Sequence, residues 1–227
     1  MAKESAKVRR RRERVGGILP VLHDHYPEAR CSLDFKSPLA LIVATILSAQ
    51  CTDERVNKTT PALFKRFRSA RAYAEADPVE LAGIIQSCGF FNQKTKSIQS
   101  MARSLLEQHG GEVPRSMEEL TQLAGVGRKT ANVVLGNAFG INVGVTVDTH
   151  VARVSRRLGL TDHEDPVKIE QDLMAIVPRD EWCQWSHLLI HHGRAICKAP
   201  RPQCERCPLL SHCPMGPKVL KVRAARP

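Results

Sequence analysis

Aromatic residues make up only 4% of the 227-residue chain, and its longest apolar run, Leu39–Leu47, falls well short of the roughly 20 residues a membrane span needs. No membrane segment is expected. The N-terminal basic cluster has no apolar stretch with a small-residue cleavage site behind it, so no secretory signal is expected and the protein should work in the cytoplasm, near the nucleoid. Acidic residues are scarce at the ends. Residues 214–227 hold four Lys/Arg and no acid, and residues 1–16 hold seven Lys/Arg against two Glu, so the ends carry +9 of the net +11. Both are expected to be solvated, disordered tails that raise salt-dependent affinity for phosphate backbones. The remaining body carries only about +2 and must recognise a polyanion through placed groups.

What is present is enough for a folded core, with 42% hydrophobic residues. Helix-start chemistry recurs at Ser37-Pro38, Asp77-Pro78, Ser116 with Glu119, and Asp165-Pro166. Apolar residues fall on one face at Leu120, Leu123 and Ala124 and again at Ala131, Val134, Leu135 and Ala138. The chain is therefore expected to be all-α. The alternating stretch 144–151 (GVTVDTHV) has no partner strand and is expected to be an extended connection into a helix beginning near Asp148.

Of eight cysteines, four are crowded into residues 197–213, spaced C-x6-C-x2-C-x5-C at Cys197, Cys204, Cys207 and Cys213. Four thiolates can hold zinc or an iron–sulfur cluster, and spacing alone does not separate the two. Cys31, Cys51, Cys88 and Cys183 are scattered and expected to be reduced, packed thiols.

Residues 123–134 read LAGVGRKTANVV. Gly125 and Gly127 leave the backbone bare on either side of Val126, so a turn between two helices can press its N–H groups against a phosphate, aided by the positive end of the following helix. Lys129 then falls in the first helical turn, where the macrodipole opposes its charge. A free lysine amine is neutral for only about one molecule in a thousand near pH 7.4, and it is the neutral amine that forms Schiff bases. Lowering its pKa beside a DNA backbone would take burial. Asp148 is the one carboxylate between Glu119 and Asp162, and it can serve as a helix N-cap, as a catalytic group, or as both.

Together with LSAQCTDERVN (residues 47–57) and CGFFNQKTKSI (residues 88–98), these segments resemble the endonuclease III family of helix-hairpin-helix DNA glycosylases, over roughly residues 17–213. The resemblance implies an all-α, two-lobed enzyme with DNA in the cleft between the lobes: a six-helix barrel lobe over 31–141, and a lobe from 17–30 and 142–213 carrying a [4Fe–4S] cluster on the four clustered cysteines. It implies a monomer that excises oxidised pyrimidines from double-stranded DNA and cleaves abasic sites by β-elimination. Lys129 is then the nucleophile at C1′ and Asp148 the group that takes its proton. Gln50 fills the gap left by the flipped nucleotide, and Phe90 or Phe91 wedges beside the orphan base. Gly125, Val126, Gly127, Arg128, Thr130 and His150 complete the DNA-binding set. Ala124 stands where the family usually has proline. An adenine-mismatch glycosylase is disfavoured, because residues 39–50 hold no carboxylate and Lys129 is present. A non-enzymatic DNA-binding protein would need neither Lys129 nor Asp148, and an electron carrier would not explain the hairpin.

Overall fold

The structure is a computed structural model that describes residues 5–225. It is built of helices, short 3-10 turns and loops, with no strand among the described residues. The anticipated caps are in place: Ser37, Asp77, Ser116 and Asp165 each accept a backbone N–H with the side chain at the head of a helix. Ser116 and Glu119 also bond side chain to side chain at 2.6 Å. The chain divides into two compact units.

One unit is Cys31–Val143. Its helices are α2 (Pro38–Ser48), α3 (Asp53–Arg66), α4 (Ala70–Ala74), α5 (Pro78–Ile85), α6 (Phe91–His109), α7 (Met117–Gln122) and α8 (Arg128–Phe139). The longest apolar run of the chain is α2, apolar almost all round, and its Leu41, Ile42, Val43 and Leu47 are wholly buried. Such a helix belongs at the centre of a core. Leu63, Ile98, Met101 and Val134 from α3, α6 and α8 complete that core.

The other unit joins the residues up to Arg30 to those from Gly144 onward. It holds α1 (Ala6–His25), α9 (Thr149–Arg157), α10 (Pro166–Ile176), α11 (Trp182–Ala195) and α12 (Gly216–Ala224). Ile18, Leu22, Val154, Leu173 and Trp185 form its core. Residues 144–148 run without regular structure into α9.

The expectation of disordered basic tails is corrected. Residues 6–16 belong to α1, capped by Ser5, and residues 216–224 form α12. Several of the N-terminal charges find partners: Lys7 pairs with Asp162, the buried Arg11 with Asp162 and Asp172 at 2.9 and 3.3 Å, and Arg14 with the Leu158 and Gly159 carbonyls. At the other end Arg223 bridges Glu205 and the Pro202 carbonyl. These partners lie up to 161 residues away in sequence, so the local charge balance carries no trace of them. Residues 1–4 and 226–227 of those tails lie outside the described residues.

Candidate active site and cysteine centre

The hairpin is formed by α7, a turn at residues 123–127, and α8. Val126 is buried in the core and donates its N–H to the Leu123 carbonyl at 3.1 Å, pinning the turn from within. The two glycines beside it differ. Gly125 has φ +76°, and a Cβ there would sit 3.1 Å from the Ser97 Cβ. Gly127, the N-cap of α8, has an ordinary φ of −88°, and a Cβ there would meet nothing within 4 Å. The chain itself thus requires glycine only at Gly125. Gly125→Ala should lower stability by about 1–2 kcal/mol through backbone strain and crowding, seen as a lowered Tm. Gly127→Ala should melt like the wild type yet weaken DNA binding about tenfold in a titration, if its bare face meets a phosphate. Equal affinity for the Gly127 variant would remove that role.

Arg128 and Lys129 follow as the first two residues of α8, where helix geometry gives backbone amides no acceptor within the helix. Lys129 is exposed. Thr130 is half-buried.

Asp148 is the N-cap of α9. Its Oδ1 accepts the Val151 N–H at 2.7 Å, leaving Oδ2 outside that bond. His150 is held by the Arg153 guanidinium, 3.1 Å from its Nδ1, and packs on Gly193. Burial keeps the His150 pKa below its ordinary value, with the Asp148 carboxylate pulling the other way.

Among the described residues, the non-glycine positions with left-handed backbone are Gln50 (φ +53°) and Phe90 (φ +47°). Such conformations cost on the order of 1–3 kcal/mol each and gather at functional sites. Gln50 is exposed on the turn after α2, and Phe90 is 64% exposed immediately before α6. Phe91, the first residue of α6, packs against the core, so the two phenylalanines part company. Four residues after Phe90, Lys94 is 4% exposed, and its Nζ donates to the Leu47 and Cys88 carbonyls at 2.8 and 2.9 Å. Nothing in the amino-acid order marks it, because neither acceptor is a side chain.

The four clustered cysteines line one pocket with apolar walls that include Leu158, Ile196, Leu210 and Val219. Arg157 donates to the Cys197 Sγ at 3.4 Å, the Gly216 N–H reaches the Cys213 Sγ at 3.3 Å, and the His192 Nε2 lies 3.7 Å from the Cys207 Sγ. Burial pushes the Cys207 thiol up to about 11, so a bound cation is needed to hold that sulfur as thiolate at neutral pH. A soft, all-sulfur donor set with hydrogen bonds already aimed at its sulfurs fits a thiolate-ligated metal centre. His212 packs its ring on Gly17 of α1 and is a packing residue.

A family model described as HhH-GPD superfamily base excision DNA repair protein matches residues 43–179. The chain is 54% identical over 208 residues to the endonuclease III of Synechocystis sp., covering 92% of this chain and 95% of that one. It is 46% identical to the endonuclease III of Bacillus subtilis over 88% and 91% of the two chains. A non-covalent endonuclease III–DNA complex superposes with a TM-score of 0.87 at 42% identity, covering 92% of this chain and 98% of the other. A trapped endonuclease III–DNA covalent intermediate superposes with a TM-score of 0.86 at the same identity and coverage. No helix among the described residues is long and apolar enough to cross a membrane. The chain belongs to the endonuclease III family of the HhH-GPD superfamily of base excision DNA repair proteins.

Proposed function

We propose that this DNA glycosylase and AP lyase acts as a monomer in the cytoplasm on chromosomal double-stranded DNA, excising oxidised pyrimidines with Lys129 as the nucleophile and Asp148 as the proton acceptor. The observation that carries the reading is the exposed amine of Lys129 on the first turn of α8, directly after a glycine turn whose own packing leaves Gly127 bare.

The anomeric carbon of a stacked nucleotide is inaccessible, so the damaged nucleotide is first flipped out. Gln50 enters the gap it leaves, and Phe90 wedges beside the orphan base; Phe91, packed on the core, supports that turn from below. The amides of Gly125, Val126, Gly127 and Arg128 hold the DNA backbone, with Thr130 and His150 as further contacts. Asp148 takes a proton from the Lys129 ammonium. The freed lone pair attacks C1′ as the glycosidic bond breaks, and the base departs with the bonding electrons and takes up a proton. Ring opening at C1′ gives the Schiff base on Nζ. Loss of a C2′ proton then expels the 3′-phosphate, and water hydrolyses the imine to return the lysine. Cys197, Cys204, Cys207 and Cys213 would hold a [4Fe–4S] cluster, which when bound would cross-link the loops that carry them.

Asp148→Asn tests the acid–base assignment cleanly. Asparagine caps a helix about as well as aspartate, so Tm should barely move. Turnover on DNA carrying thymine glycol should nevertheless fall on the order of 10²- to 10⁴-fold, with binding largely retained. Wild-type turnover would reduce Asp148 to a cap.

A further inference from the structure

A lysine that is nine-tenths buried, stands near a helix N-terminus and has no carboxylate partner meets two penalties at once, desolvation and an opposing helix dipole. Lys94 of α6 is such a residue. Its hydrogen bonds go to neutral backbone carbonyls on two separate segments. Leu47 lies in the last turn of α2, where a carbonyl has no partner within the helix, three residues before Gln50. Cys88 ends the 3-10 turn Gln86–Cys88, two residues before Phe90. One ammonium therefore bridges the two segments that run directly into the two strained, exposed residues of the unit. Burial keeps its pKa below the ordinary lysine range, and the Cys51 and Cys88 thiols beside it act in the opposite direction. Filling that space alone would take only an apolar side chain of the same length, with no charge to desolvate.

We propose that Lys94 is a positioning residue for base flipping: it sets the spacing between the Gln50 turn and the Phe90 turn, so that both side chains enter the duplex together. The proposal rests on the reading of Gln50 and Phe90 as the inserting pair. Lys94 itself does not touch DNA or the reacting atoms.

The test uses the full-length protein as purified, and a duplex with 2-aminopurine opposite a reduced, uncleavable abasic site. Insertion unstacks the orphan base and raises its fluorescence. Lys94→Met, an unbranched side chain of nearly the same volume that removes both hydrogen bonds, should lose most of that rise and raise KM on lesion-containing duplex at least about tenfold, the scale of one lost stacking contact. Borohydride trapping on a single-stranded abasic oligonucleotide, which has no orphan base to manage, should stay within about twofold of wild type. Should Lys94→Met not fold, Lys94→Gln, one atom shorter but still a two-hydrogen donor, serves with the same expected result. A wild-type fluorescence response in the folded variant overturns the proposal, as does an equal loss on duplex and single strand, which marks Lys94 as purely structural. Unchanged fluorescence in Gln50→Ala and Phe90→Ala overturns the insertion reading itself and the proposal with it.

Discussion

Lys129→Ala abolishes the adduct that borohydride traps between the protein and abasic DNA, while leaving the melting temperature within about 1 °C of wild type. The two halves of this expectation have separate physical sources. Lys129 is exposed on the first turn of α8, so its removal deletes no packing, and alanine is the better helix former. It also relieves the positive charge from the helix's positive end. Chemistry, by contrast, has no substitute amine: the neighbouring Arg128 carries a guanidinium, which forms no imine. Affinity for a lesion duplex should fall only modestly, because the backbone amides of the turn remain. An undiminished adduct in the variant would move the nucleophile elsewhere.

The second large effect falls on the cysteine centre. Cys207→Ala should give a protein without the broad absorbance near 400 nm, and without the roughly four irons per chain expected of the wild type. Its unit should lose cooperative folding. A structural metal centre contributes on the order of 10 kcal/mol or more, comparable to the whole stability of a domain. Here the loss spreads beyond the cysteine loops. Arg157 of α9, His192 of α11 and Gly216 of α12 all reach the four sulfurs or their loop, and a Cβ at Gly216 would crowd the Leu210 methyl and force it to shift. Limited proteolysis should open residues 197–224 first, ahead of the Cys31–Val143 unit, whose core shares none of these groups. A colourless variant with wild-type melting and protease resistance would strip the centre of its structural role.

Some of this was visible in the amino-acid order and some was not, for reasons specific to each residue. The caps at Ser37, Asp77, Ser116 and Asp165 and the approach to Asp148 are local chemistry, in which a side-chain oxygen meets an amide two or three residues on. Local order suffices to find them. The four clustered cysteines and the glycine turn announce themselves by spacing. The terminal helices do not, because the residues that Arg11 of α1 meets, Asp162 and Asp172, are far along the chain, and the charge there reads only as surplus. The strain at Gln50 and Phe90 is a backbone property with no marker in side-chain type. Nor could spacing tell Phe90 from Phe91; one points outward and the other into the core solely because of how α6 enters its unit. Lys94 was the deepest-hidden residue of the site. Its acceptors are carbonyls 47 and 6 residues away, and a lysine in KTK looks like any surface lysine.

Lys94 and Lys129 lie in the same unit, the one buried and the other exposed, so the position that reacts tells them apart. Peptide mapping of the borohydride-reduced complex by mass spectrometry locates the trapped deoxyribose remnant on the chain. The expected result is a single modified residue, Lys129. A remnant on Lys94, on any other lysine, or no remnant at all would contradict the assignment of Lys129 as the nucleophile.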